Sequence, residues 1–132
     1  MSLVEINKTK QYTIAVSPAK NRAYLKIIGF WRSPEIVPDY IRDWTNAVSK
    51  LNKGFTLLTD ASEMKTHPVS LRGLHEQAQA ILIKAGVSKV AEIVKDDVAE
   101  MQLDALAKTT QFPKRNFKSA ADAEVWLDSK LS

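Results

Sequence analysis

Two periodicities alternate along this chain, and that alternation constrains its fold more than any other feature. Gln11–Ser17 reads QYTIAVS, where Tyr12, Ile14 and Val16 alternate with Thr13 and Ala15, the period of a half-buried strand. The turn formers from Ser17 to Arg22 separate it from Ala23–Phe30, AYLKIIGF, a second strand. So short a connection predicts an antiparallel hairpin. At Ser33-Pro34-Glu35 the period changes: a cap, a first-turn proline and an acid suited to the positive end of a helix dipole. Val37, Tyr40, Ile41, Trp44, Val48 and Leu51 follow at helical spacing, and Gly54 ends that helix.

The same switch repeats. Phe55–Asp60 (FTLLTD) is the third strand and Ala61–Val69 a polar loop. Leu71, Leu74, Ala78, Ile81, Leu82 and Ala85 mark a second helix that closes at Gly86. Lys89–Lys95 (KVAEIVK) is the fourth strand. Asp97-Val98-Ala99-Glu100 resembles a capping box with Asp97 as cap, opening a third helix to about Thr109. Asn116-Phe117-Lys118 is a short fifth strand, and Ser119 caps a last helix with Ala123, Trp126, Leu127 and Leu131 inward. The order ββαβαβαβα predicts an α/β domain with a mixed, mainly parallel five-stranded sheet, one unit across residues 1–132 with its core at about 11–131.

Crossovers that all step in one direction place every helix on one face of the sheet. The faces read accordingly. Tyr12, Ile14, Val16, Leu25, Ile27, Phe55, Leu57, Ala91 and Ile93 share one parity. Lys26 and Glu92 fall on the other, where both would be costly if that face were covered. Tyr24, Ile28, Leu58, Val90 and Val94 make that second face half apolar, a candidate interface for a weak homodimer or a protein partner. The alternative is that Leu3–Ile6 or loops lie across it.

Composition removes several function classes. No cysteine is present, which excludes disulfides, thiolate nucleophiles and cysteine-bound metals and fits a cytoplasmic location. The start, Met1-Ser2-Leu3-Val4-Glu5, lacks the pattern of a signal peptide, and no apolar run is long enough for membrane insertion. The net charge is +4, but lysines and arginines are dispersed among acids from Lys8 to Lys130. Lys114-Arg115 with Lys118 is the one tight basic group, so nucleic acid is not an expected partner. The four glycines stand singly, so no glycine-rich phosphate loop exists and no cofactor is expected.

Gly29-Phe30-Trp31 leading into a helix, the strand end Leu58-Thr59-Asp60, and the ending Phe117-Lys118-Ser119-Ala120-Ala121-Asp122-Ala123-Glu124-Val125-Trp126-Leu127 complete a pattern. Together with the element order, it resembles the STAS / SpoIIAA-like group, as a stand-alone bacterial member, from about Tyr12 to Leu131. The resemblance implies a right-handed β-α superhelix with strands in near-sequential order, and a binding or regulatory role. Anti-sigma-factor antagonists of that group carry a phosphorylatable serine, usually after an aspartate, where a helix N-terminus favours phosphate. Ser70 is the nearest positional match, although Val69 precedes it and Arg72-Gly73 follow.

Catalytic chemistry finds little support in the residues. His67 and His75 are the only histidines, one expected in a loop and one in a helix, and a zinc site would want more ligands at closer spacing. Asp60, Ser62, His67 and Ser70 contain the residue types of a hydrolytic triad, but neither serine lies in a nucleophile-elbow motif. Neither catalytic nor metal-binding residues are therefore assigned. Asp60 is expected to bond nearby backbone amides, and Trp31, beside Arg32, to line a small pocket or cover the core. The leading expectation is a non-catalytic domain that binds another protein through Ser62–Arg72, the sheet edge or the open sheet face. The alternatives are a carrier of small apolar ligands with a pocket near Trp31, Asp60 and His67, and a hydrolase using Ser62 or Ser70 with His67.

Overall fold

In the computed structural model, which describes residues 3–129, one six-stranded sheet runs in the order β1-β2-β3-β4-β5-β6. The strands are β1 (Val4–Lys8), β2 (Tyr12–Ser17), β3 (Arg22–Gly29), β4 (Thr56–Met64), β5 (Lys89–Ile93) and β6 (Lys114–Phe117). The first three pair antiparallel; β3 through β6 pair parallel. Between and after the parallel strands come α1 (Tyr40–Val48), α2 (Arg72–Ala85), α3 (Asp97–Thr110) and α4 (Ala120–Asp128). The class is the expected mixed, mainly parallel α/β sheet, with six strands rather than five. The added strand, β1, reads as polar because it is an edge strand, and its alternation is further broken by a bulge between Glu5 and Asn7. Leu131, expected on the inner side of the last helix, lies outside the described residues, as do Met1 and Ser2.

The first helix is shorter than its apolar spacing suggests. A 3-10 turn at Pro34–Ile36 stands alone, and Val37 leaves the helical region (φ −128°, ψ 60°) because Pro38 follows it. The third helix is capped by Asp96 rather than Asp97, through the Val98 N–H at 3.3 Å. Ser119 caps α4 as expected, through the Asp122 N–H at 3.2 Å. Gly86 closes α2 in the left-handed region at φ 98°, a conformation that glycine adopts without strain.

Helices occupy both faces of the sheet, which corrects the expectation of one. Helices α1, α2 and α3 bury Trp44, Ala78 and Leu103 against Ile14, Leu25, Leu57 and Val90. Helix α4 packs Ala123 and Leu127 on Leu58, Ala91 and Ile93 from the other side. The handedness of crossovers governs a helix between two strands; among the described residues no strand follows α4, so that rule does not assign its face. Arg22, itself buried, fastens it there. Its guanidinium pairs with Glu124 and, at 2.8 Å, with Asp128, while Nε donates to Thr56 Oγ1 at 2.8 Å. The Lys89 ammonium donates to the carbonyls of Trp126 (2.8 Å) and Ser129 (2.6 Å), satisfying the negative end of α4.

The faces of β5 are also exchanged relative to the sequence reading. Leu57 pairs with Val90 and Leu58 with Ala91, so Val90, Glu92 and Val94 point toward α1–α3. Val90 and Val94 are fully buried there and cannot form an open interface. Apolar residues stand at both parities of this strand, so alternation does not choose a face. Glu92, expected on the other face, goes inside because Lys114 accompanies it, with Nζ 3.0 Å from Oε1.

Candidate functional site

Strand β4 extends past its expected end at Asp60 through a bulge. Lys26 pairs with Asp60 but Ile28 with Glu63, and Asp60 Oδ1 accepts from the Ser62 N–H (3.0 Å) and hydroxyl (2.6 Å). The chain then passes His67 into a 3-10 turn at Val69–Leu71 that leads directly into α2. Gln102 of α3 clamps this loop: it accepts the His67 N–H at 2.9 Å and donates to the His67 carbonyl at 2.6 Å.

The His67 ring is buried between the loop and the core. Its Nδ1 lies 3.0 Å from His75 Nε2 and its Nε2 3.2 Å from the Gly29 carbonyl. A carbonyl only accepts, so Nε2 carries the His67 proton and Nδ1 accepts from His75 Nε2–H. Trp31 stacks against both rings, with centroids 4.7 Å from His67 and 5.4 Å from His75. Its indole N–H is shared by the Gln11 (3.1 Å) and Ile28 (3.2 Å) carbonyls. Burial lowers the pKa of His67, opposed by the Gly29 bond, and brings that of His75 down to about 3, with the neighbouring His67 adding to the effect. The pair is neutral near physiological pH.

Two hollows flank this pair. The outer one, about 140 Å³, lies between the loop, α2 and α3 and is walled by Met64, His67, Leu71, His75, Leu103 and Leu106, with Val69 and Arg72 at its rim. The inner one, about 30 Å³, lies deeper, against Tyr40, Trp44, Thr59, Gln79 and Glu92. A third, open trough of about 480 Å³ occupies the part of the second sheet face that α4 leaves bare, over Thr13, Tyr24, Lys26, Ile28, Leu58 and Asp60.

The candidate residues therefore divide. His67, Ser70 and Arg72 gather around the loop; Ser70 and Arg72 are exposed, and Arg72 bonds Glu76 and Thr109, each at 3.3 Å. Trp31 is wholly buried behind the histidines, covering the core, while Arg32 beside it is exposed. Asp60 belongs to the opposite face, so Trp31, Asp60 and His67 do not share a pocket. Both nitrogens of His67 are engaged by His75 and Gly29, which leaves neither to act as a base toward Ser62 or Ser70. Among the described residues no group of three or more histidine, aspartate or glutamate side chains could hold a metal. Leu58 is buried against α4 at the edge of the trough, and Tyr24, which donates to Glu124 at 3.2 Å, lines the trough with Ile28. The sequence reading missed the His67–His75 pairing and Gln102; a glutamine amid a helix carries no mark of a partner in a distant loop.

A sheet with sequential strand order, three helices on one face and a loop entering α2 at the end of a central strand is the SpoIIAA-like fold. Solved structures share that fold along nearly the whole chain. An uncharacterized protein of the DUF3478 family from Shewanella loihica, itself with a SpoIIAA-like fold, matches with a TM-score of 0.62 at 14% identity, covering 96% of this chain and 98% of that one. SiaC of Pseudomonas aeruginosa matches at 0.57 and 15% identity, covering 89% and 100%. An anti-sigma factor antagonist from Mycobacterium paratuberculosis matches at 0.55 and 17%, covering 93% and 99%. No family model and no curated protein matches the sequence. No helix among the described residues is long and apolar enough to cross a membrane.

Proposed function

We propose that this domain is a non-catalytic regulatory module that binds another protein at the loop between β4 and α2 and the adjoining side of α3. The observation that carries the reading is exposed apolar surface around the outer hollow. Val69 at the rim is 86% exposed, and Met101 and Val98 on α3 are 70% and 55% exposed. Val98, Met101, Gln102 and Ala105 follow helical spacing along one side of α3, and Gln102 ties that side to the loop. Apolar side chains gathered around a concavity suit a partner's anchor residue better than they suit water. The anti-sigma factor antagonist with the same fold supports a protein-binding role.

Ser70 is exposed and follows Val69 in the chain, so a phosphate there would place negative charge beside Val69 and weaken apolar docking. A photo-crosslinking residue at Val69 in source cells tests the proposal. A discrete partner should be captured, lost with Met101→Asp or Ser70→Glu, and absent with the crosslinker at Asn46 on α1. Equal capture from both positions would overturn it.

A further inference from the structure

The outer hollow constrains its occupant by size and by charge. Met64, Leu71, Leu103 and Leu106 make its walls apolar, and its 140 Å³ is close to the size of a cavity that takes up a benzene ring. One side chain as large as phenylalanine or leucine fills such a space. The walls are also held in place. Gln102 bonds the backbone N–H and carbonyl of His67, and the His67 ring is fixed between His75 and the Gly29 carbonyl. An apolar hollow shaped in advance receives an anchor side chain at little ordering cost.

Charge at the hollow has one sign. With both histidines neutral, Arg72 is the only charged residue that lines it among the described residues. The guanidinium is exposed and engages two of its five N–H donors, Nε with Glu76 and Nη2 with Thr109, each at 3.3 Å. Donors remain for a second carboxylate, and the exposed one-turn pair with Glu76 is a weak competitor. The acids of α3 are committed elsewhere: Asp104 pairs with Lys114, and Glu100 with Lys118 at 3.5 Å, toward β6. Beside the hollow, α3 presents Val98, Met101, Ala105 and Thr109, all exposed and uncharged.

We infer that the partner's docking segment seats one phenylalanine or leucine in the outer hollow and pairs a neighbouring aspartate or glutamate with Arg72. The inference rests on the partner-docking reading above and names the chemistry of that partner. The anchor supplies most of the affinity, because the hollow removes a whole side chain from water. The carboxylate adds less, since its pairing with an exposed guanidinium is screened by solvent. Its effect is selection: it fixes the direction in which the segment crosses the mouth and disfavours basic segments.

The probe is a displayed library of random peptides selected on the full chain, with the enriched peptides then synthesised and titrated. They should share a phenylalanine or leucine with an acidic residue beside it or one helical turn away. Replacing that anchor by alanine should weaken binding about thirtyfold or more. Arg72→Glu should weaken the same peptides about threefold or more, and changing the peptide's acid to lysine should restore the loss. Ala105→Phe, which adds a ring to the lining from an exposed position, should abolish binding with an unchanged circular dichroism spectrum. Peptides that lose binding to Met101→Asp but share no such pair, or are indifferent to Arg72→Glu, overturn this inference and leave the docking reading standing. Peptides that bind Met101→Asp as tightly as the unaltered chain, or a library that enriches none, overturn both. Should Ala105→Phe fail to fold, the anchor replacement and the charge exchange still decide.

Discussion

Lys114→Met isolates the energetics of a charge pair within the core. The side chains of Lys114 and Glu92 are 7% and 3% exposed and lie 3.0 Å apart. At that distance and an effective dielectric of about 20, their attraction is roughly 5 kcal/mol, much of it offset by the cost of removing both charges from water. Removing only the lysine leaves the desolvation cost of Glu92 in place without the attraction. We expect Lys114→Met to cost about 3–5 kcal/mol near neutrality. Glu92→Met should cost less, because Lys114 keeps Asp104 and the Asn116 side-chain oxygen at 2.7 Å. The double variant should fall within about 1 kcal/mol of the parent, since an apolar pair tolerates burial that a lone charge does not.

A pH dependence separates this account from a simple packing loss. Burial already raises the pKa of Glu92 above its ordinary value, against the lowering by the Lys114 charge, and loss of Lys114 raises it further. The folded state then takes up the proton more readily than the unfolded state. The penalty is therefore largest above the raised folded pKa and shrinks as pH falls from there toward the ordinary carboxylate value. Urea unfolding followed by tryptophan emission, near neutrality and near about pH 5, measures both effects. A cost below about 1 kcal/mol, or one that does not change with pH, would refute the reasoning.

Other consequences can be checked with similar means. The histidine pair has the opposite sign: both pKa values are lowered in the folded state, so its contribution is full above the ordinary histidine value and is lost as pH falls toward about 3. His75→Phe should flatten that part of the stability–pH curve in chemical denaturation. Gln102→Ala removes both bonds to the His67 backbone; it should cost about 1–2 kcal/mol and speed hydrogen exchange at residues 65–70 before that of α2. Arg22→Met breaks the attachment of α4 and should increase proteolysis of the C-terminal segment while leaving the emission of the buried Trp31 and Trp44 unchanged.

The parts of the fold legible in the sequence are those that depend on local pattern. The β2–β3 hairpin follows from QYTIAVS, a turn and AYLKIIGF, and the Ser119 cap and the Gly86 stop are chemical requirements of helix ends. Where a strand carries apolar residues at both parities, alternation cannot choose its inner face. Val90, Ala91, Ile93 and Val94 allow either orientation of β5, and only the pairing of Leu57 with Val90 fixes it. Likewise the side taken by α4 depends on Arg22, a turn residue in the sequence and a buried anchor in the fold.

Of the candidate site, only the loop is legible in the sequence. Expecting a site between Ser62 and Arg72 follows from the position after a central strand, but the walls of the hollows there include Trp44, His75, Gln102 and Glu92, each of which looks ordinary in its own segment. Trp44 has the spacing of a core residue and is one. Glu92 reads as a surface acid until Lys114, from a strand beyond the next helix, is placed beside it. The buried polarity of this domain is thus made by distant residues that share an interior, and it becomes visible only when the donors and acceptors of that interior are counted together.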